Sequence, residues 1–413
     1  MTAPRDYVHR RLDCGVEFAL ERLPGRRLAA YDLRVLTGMV DESEERLGLA
    51  YLVDQTITKG TTKRNGQEYL DAFDAIGAQQ TSYVGREAFG FRCQCLPEYL
   101  PQSLALHAEA LRTASFPEEA CRVAVELAGQ ELTALQDQPD ELAQRMINRQ
   151  ALGPRLGRHP LGQEATIARI GRGDILDFWR GQFGAARMQV ALAGPFDADE
   201  AANQIDQAFS GFGTPPDDGR RPCPIEFTPG ARHEHKELEQ QQIFLAWPGV
   251  SRTSPEYPAE RVMLAVLSDG MSSRLFTEVR EKLGLVYWVG AWADQPRSGG
   301  MIFVGASTTP QRCDETHRVL LREVDRLAED ITETELNRAK VGMIAKAETH
   351  GDITRSRASE LSSDLFYYGR PVQQEEKIRR ISGVGVADIR RYLKEHPRNR
   401  LAAATLGPRA LKG

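Results

Sequence analysis

Partial alternation of apolar and polar side chains in Leu28-Ala-Ala-Tyr-Asp-Leu-Arg-Val-Leu36 marks a strand with one face turned to a core, and residues 14–21 read the same way. The denser apolar run Gly48-Leu49-Ala50-Tyr51-Leu52-Val53-Asp54-Gln55 predicts a helix, closed by Gly60 acting as a C-terminal cap. A second helix spans about 66–76 and stops at Gly77, and strands at 78–84 and 88–95 follow, joined around Gly85-Arg86-Glu87. Pro97 opens a helix to about residue 112. Pro117 sits where a first helical turn tolerates a missing N–H, and opens a long helix carrying Glu131. Another helix runs from about Asp140 to Gly153-Pro154, and a strand at 188–193 runs into Gly194-Pro195.

The pattern then breaks. Residues 211–236 hold Pro215, Pro216, Asp217, Asp218, Gly219, three arginines, Pro222, Pro224, Pro229 and Gly230, the composition of a linker. Beyond it the element order returns: strand, helix, helix, two strands, several helices, strand. Gly77 corresponds to Gly284 at an offset of 207 (284 − 77), and Gly194-Pro195 to Gly407-Pro408 at an offset of 213 (407 − 194). That period is too long for a solenoid and fits a duplicated domain. The expected architecture is two similar α+β domains, 1–212 and 238–413, each an antiparallel-rich sheet covered by helices, with a linker at 213–237.

The chain of 413 residues has 27% charged and 41% hydrophobic residues and a net charge of −5, which gives no reason to expect nucleic acid or an anionic membrane as a partner. No apolar run approaches the roughly 20 residues of a membrane span. The start, Met1-Thr-Ala-Pro-Arg-Asp, lacks the basic-then-apolar layout of a secretory signal. Six cysteines show no disulfide framework, so a reduced, cytoplasmic protein is the expectation.

Side chains at i and i+4 share one helix face, so Tyr51 and Gln55 stand where two ligands could grip one ion, with Asp54 beside them. The acidic lead-in at 38–46, the Gly-Leu-Ala start, the Tyr-x-x-Asp-Gln core and the Lys59-Gly60-Thr61 exit together resemble the metal-binding helix of the pitrilysin/insulinase family of inverted-zincin peptidases. That family carries H-x-x-E-H at these positions. The resemblance implies two zinc-binding imidazoles and a glutamate that takes a proton from the metal-bound water. Here Tyr51 offers a phenol, rarely ionised at neutral pH, and Gln55 a neutral amide better suited to hard cations. Asp54 keeps a carboxylate that is one methylene shorter. The expectation is a degenerate site with no zinc and no other cofactor in this chain. Glu131, 76 residues past Gln55 (131 − 55), matches the position of the family's third ligand. Read from its own helix it is a surface or capping carboxylate, and one carboxylate falls short of the three protein ligands of a catalytic zinc. His159, before Pro160, reads as a structural loop residue, and His233 and His235 as solvated residues at the linker edge.

In the second half, Asp269-Gly-Met-Ser-Ser-Arg-Leu-Phe-Thr-Glu-Val-Arg-Glu-Lys-Leu-Gly-Leu-Val-Tyr287 is the strongest match to the same family. The resemblance implies that Arg280 and Tyr287 contact the substrate carbonyl at the scissile bond. On the residues alone, Arg280 lies near the end of a helix closed by Gly284. Tyr287, Val289 and Ala291 are expected on one strand face, and Trp288 and Trp292 on the other. Two-domain bacterial members of the family can pair a zinc-bearing subunit with one whose zinc motif is degenerate. The resemblance therefore implies a non-catalytic subunit, inactive alone, that encloses peptide substrate and lends Arg280 and Tyr287 in trans to a homologous partner holding H-x-x-E-H and zinc. The alternatives are a structural scaffold, as in the respiratory cytochrome complex, and a peptide-binding homodimer without hydrolysis.

Overall fold

The structure, a computed structural model, describes residues 6–213 and 222–412. In chain order the elements are β1 (Asp6–Arg11), β2 (Glu17–Arg22), β3 (Ala29–Val35), α1 (Leu49–Thr56), α2 (Gly66–Asp74), β4 (Gln79–Val84), β5 (Phe89–Cys95), α3 (Leu100–Thr113), α4 (Glu118–Leu135), α5 (Pro139–Leu156), α6 (Glu164–Ile167), α7 (Arg172–Gln182), β6 (Met188–Gly194) and α8 (Ala198–Phe209). The second half holds β7 (Gly230–His235), β8 (Gln241–Gly249), α9 (Tyr257–Ser268), a π-helical segment (Leu275–Lys282), β9 (Val286–Asp294), β10 (Gly300–Thr308), α10 (Cys313–Asp330), α11 (Glu333–Gly351), α12 (Thr354–Tyr368), α13 (Gln374–Ser382), α14 (Val386–Glu395) and β11 (Ala402–Gly407).

Two sheets organise these elements. The first has the order β1-β2-β6-β3-β5-β4 and the second β7-β11-β8-β10-β9. In each, one pair is parallel, β2 with β6 and β7 with β11, and every other pair is antiparallel. The two strand orders superpose once β1 is set aside, so the α+β class and the duplication are as expected. The shared glycine pair shows the correspondence: Gly90 of β5 faces Tyr83 of β4, and Gly305 of β10 faces Gly290 of β9.

The compact units are discontinuous in sequence. One gathers Met1–Thr133, His159–Arg221 and Thr349–Gln373; the other gathers Ala134–Arg158, Pro222–Glu348 and Gln374–Gly413. The halves 1–212 and 238–413 therefore trade one helix each: α12 packs on β2, β3 and β6, while α5 packs on β8 and β11. With helices on both faces, all seven residues of β3 and of β6 are buried, as are all nine of β10. Such a strand shows weak alternation because neither of its faces meets water.

On the face that α12 covers, the first sheet buries polar groups, several of them paired. Asp32 accepts from the Tyr83 hydroxyl at 2.8 Å and from Arg92 Nε at 3.1 Å, and Arg34 Nε donates to the Tyr83 hydroxyl at 3.2 Å. Arg357 of α12, fully buried, donates to Glu21 Oε2 of β2 through Nε at 2.8 Å and Nη2 at 2.7 Å. Removing one partner of such a pair would strand the other's charge, a cost of about 3–5 kcal/mol.

Several local expectations shift. The strand placed at 14–21 is β2, and β1 ahead of it went unread because Asp6–Arg11 carries charge on an exposed edge. Within the expected linker 213–237, residues 214–221 lie outside the described residues, and 230–235 form β7, again a charged edge strand. The helix read as ending before Gly153-Pro154 does break there, with Gly153 at φ 87°, and then adds a last turn to Leu156. The six cysteines, Cys14, Cys93, Cys95, Cys121, Cys223 and Cys313, are all free thiols. Among the described residues no helix is long and apolar enough to cross a membrane.

Candidate functional site

α1 begins at Gly48, whose φ of 98° is open to glycine at little cost; a Cβ there would also meet the Ile167 side chain at 2.3 Å. The acidic lead-in supplies the cap: buried Glu42 accepts from the Ala50 N–H at 2.8 Å, satisfying one of the orphan donors of the first turn.

On α1 the Tyr51 hydroxyl donates to Glu131 Oε2 of α4 at 2.9 Å. Burial, and then the hydrogen bond and charge of Glu131, hold the phenol proton well above its usual range. Glu131 is an exposed carboxylate, as read, and the fold also brings it to Tyr51. Asp54 is mostly buried, and burial raises its carboxyl above the usual range while hydrogen bonds from Ser82 and Gln55 oppose the shift. Gln55 Nε2 lies 3.4 Å from Asp54 Oδ2. Tyr51, Asp54, Gln55 and Glu131 therefore form one local constellation. Its donor set does not fit catalytic zinc. The phenol is a proton donor already committed to the one carboxylate opposite, and Gln55 presents a neutral amide. Among the described residues, no group of three or more His, Cys, Asp or Glu side chains could hold a metal ion.

The other histidines have local roles. The Leu161 N–H donates to His159 Nδ1 at 3.2 Å, so His159 is a loop residue. His233 Nδ1 lies 2.9 Å from Thr405 Oγ1 and His235 Nε2 2.9 Å from Glu237 Oε1, both on the exposed edge strand β7. Fully buried His107, pushed down to about 3 by burial, lies 2.6 Å from the Tyr31 hydroxyl.

Arg280 and Tyr287 flank a tight junction in the second unit. The π-helical segment ends with the Leu283 N–H on the Glu278 carbonyl at 3.2 Å, a five-residue reach. Gly284, at φ 56°, then donates to the Arg280 carbonyl at 3.1 Å, and Leu285 to Val279 at 3.0 Å, leading directly into β9. Wide turns of this kind recur at functional sites. The ladder with β10 then slips: Ser307 faces Trp288, but Thr308 faces Val286, so Tyr287 has no cross-strand partner. Such a bulge re-aims a side chain. This corrects the expected face: Val286, Val289 and Ala291 all pack against the core, whereas Tyr287 stands 77% exposed. Trp288 and Trp292 do share the opposite face, with ring centroids 6.3 Å apart.

The Arg280 guanidinium carbon lies 4.9 Å from the Phe276 ring centroid and 6.0 Å from that of Tyr287. Neither the guanidinium nor the Tyr287 hydroxyl has a hydrogen-bond or ion-pair partner among the described residues. Of the two acidic residues on the segment, Glu278 is paired to Lys282 at 2.7 Å. Phe276, which supports the arginine, went unremarked in the sequence, although its place one turn before Arg280 was a signal. Two exposed, unpaired donors held by a rigid junction can bind a carbonyl oxygen and can stabilise it more strongly as it becomes an oxyanion.

Comparison with known proteins gives the family of the chain. The model for "Insulinase (Peptidase family M16)" matches residues 17–164 and that for "Peptidase M16 inactive domain" residues 169–343. An uncharacterized zinc protease of Rickettsia bellii is 26% identical over 407 residues, covering 98% of both chains. Two solved structures share the fold with a TM-score of 0.89. One is a peptidase M16 inactive domain from Pseudomonas fluorescens at 17% identity, covering 99% of both chains. The other is a protease from Helicobacter pylori at 16% identity, covering 98% of this chain and all of that one.

Proposed function

Because this chain belongs to the insulinase family of peptidases, in its two-domain form, we propose that it is the non-catalytic subunit of a heterodimeric zinc peptidase. In this reading it encloses peptide substrate and lends Arg280 and Tyr287 to the carbonyl held at the zinc of a homologous partner with an intact H-x-x-E-H helix. The observation that carries the reading is the pair itself: two exposed donors with no hydrogen-bond or ion-pair partner among the described residues, in a chain whose own Tyr51 phenol is committed to Glu131. The isolated chain would not hydrolyse peptides, since its helix offers no zinc ligands, and the metal would reside on the partner. The six free thiols suit a reducing, cytoplasmic setting.

Chemically, the guanidinium and the phenol act as fixed donors. They need not reorganise as negative charge grows on the carbonyl oxygen, so they bind the tetrahedral state better than the ground state. A scaffold without this role would have no use for an unpaired arginine at this position. The test is co-expression with a zinc-bearing homologue, followed by size-exclusion chromatography with light scattering. A one-to-one complex is expected, burying more than the roughly 1,600 Å² of a standard interface because a chamber wall is large. Separate elution at micromolar concentration would contradict the reading.

A further inference from the structure

The four edge strands of the two sheets are not alike. β1 carries Asp6, His9, Arg10 and Arg11, and β7 carries Arg232, His233, Glu234 and His235. β4 opens with the polar run Gln79-Gln80-Thr81-Ser82. Charge and polarity of this kind keep a free edge from recruiting another strand. β9 has no such guard: from Val286 to Ala293 it reads Val-Tyr-Trp-Val-Gly-Ala-Trp-Ala, without a charged residue. Ser268 Oγ accepts from the Ala291 N–H at 2.8 Å, so that backbone group faces away from β10 and is already occupied. Among the described residues no such hydrogen bond covers the stretch 287–289, which adjoins the Arg280 and Tyr287 donors. A row of outward backbone groups is matched by an extended chain, not by a helix or a small ligand.

The side chain beside that open stretch is held flat. Trp288, 41% exposed, lies across Gly290 and Gly305: a Cβ on Gly305 would come within 2.9 Å of the indole and 2.7 Å of the Phe244 ring, and one on Gly290 within 3.2 Å of the indole. Phe244 and Trp292 brace it at centroid distances of 6.2 and 6.3 Å, and Trp292 stacks on Phe303 at 5.7 Å and 9°. Any residue larger than glycine at the two floor positions would lift the ring. The result is a fixed apolar surface one residue beyond Tyr287.

We propose that Trp288 is a specificity-determining residue, receiving a large apolar side chain, aromatic or branched aliphatic, from a peptide laid in extended form along β9. This rests on the reading of Arg280 and Tyr287 as carbonyl donors, and it names the substrate class that reading leaves open. The uncharged run 286–293 offers no counter-ion to a lysine side chain, whereas the indole face rewards apolar contact. The peptide backbone supplies affinity through strand pairing, and the side chain over Trp288 supplies selection.

The test is fluorescence anisotropy with the full chain and with the reconstituted complex, using short fluorescein-labelled β-forming peptides that differ at one central position, Phe, Ala or Lys. The Phe peptide is expected to bind about ten-fold tighter than the Ala peptide, and Trp288→Leu, which keeps apolar cover on the two glycines, to reduce that preference to about three-fold or less. Circular dichroism confirms that the variant is folded. Arg280→Ala should weaken all three peptides alike and leave the preference in place. Equal binding of the three peptides, a preference that survives Trp288→Leu, or no binding by either the chain or the complex would overturn the proposal. So would a dimer of this chain that Trp288→Leu makes monomeric, since the edge would then belong to a second copy. A preference lost in Trp288→Leu alongside turnover indifferent to Arg280→Ala would keep the subsite and remove the catalytic role, so the two readings fail separately.

Discussion

The hydroxyl of Tyr51 gives its proton to Glu131 Oε2, 2.9 Å away, whereas that of Tyr287 meets no protein acceptor among the described residues and stands in solvent. One tyrosine lies in each sheet unit, and their surroundings treat them in opposite ways. Around Tyr51 the polar groups bond within the chain: the phenol to Glu131, Gln55 toward Asp54, and Glu42 to the helix start. Around Tyr287 the acid Glu278 is paired to Lys282 and the Arg280 guanidinium lies against rings, with no hydrogen-bond or ion-pair partner among the described residues. A side chain that is internally satisfied contributes to folding and has little left to offer a ligand. Donors left unpaired contribute little to the isolated chain, and their use lies with whatever binds it.

The contrast is open to direct attack. Arg280→Ala should have the largest effect, lowering turnover of the reconstituted complex about 100- to 1,000-fold, as loss of an oxyanion donor does. The melting temperature should move by no more than about 2 °C, because only the ring contacts are lost. Tyr51→Phe should act the other way round. Stability falls by at most about 1 kcal/mol in denaturant titrations, since Glu131 is exposed and water replaces the lost donor, and turnover of the complex stays at the wild-type level. Asp54→Asn should have the smallest effect and the opposite sign. Burial raises the carboxyl of the folded state above its unfolded value, so near neutral pH the folded chain carries the cost of a buried charge. Removing that charge should raise the melting temperature by about 2 °C at pH 7.5. Acid protonates the wild-type group and removes the same cost, so the advantage should shrink as the pH falls through the folded-state value. A gain that instead grows on acidification would contradict the burial account.

Much of this was legible in the residues. The duplication followed from Gly77 and Gly284 because a glycine at a helix C-terminus has a conformational reason to be there, and both adopt positive φ. The chemistry of Tyr51 and Gln55 followed from their spacing, since i and i+4 share a helix face. Three things were hidden. The exchange of α5 and α12 depends on packing between segments far apart in the chain, and neither helix signals its destination. The bond from Tyr51 to Glu131 joins two helices across 80 positions, so Glu131 read alone looked like an ordinary surface acid. The bulge at Tyr287 arises because β10 and β9 slip by one residue, and a strict alternation rule applied to β9 alone put Tyr287 on the wrong face.

The account rests on the claim that Arg280 and Tyr287 serve catalysis in trans while the Tyr51 position does not. The sharpest measurement compares two single-oxygen deletions in the same assay: steady-state turnover of the reconstituted heterodimer carrying Tyr287→Phe or Tyr51→Phe, with assembly verified by light scattering. The account predicts that Tyr287→Phe loses about 100-fold or more in turnover, with a smaller change in KM, while Tyr51→Phe matches the wild type. Wild-type turnover in Tyr287→Phe, with the complex intact, would contradict it and reduce the pair to a structural feature of the β9 junction.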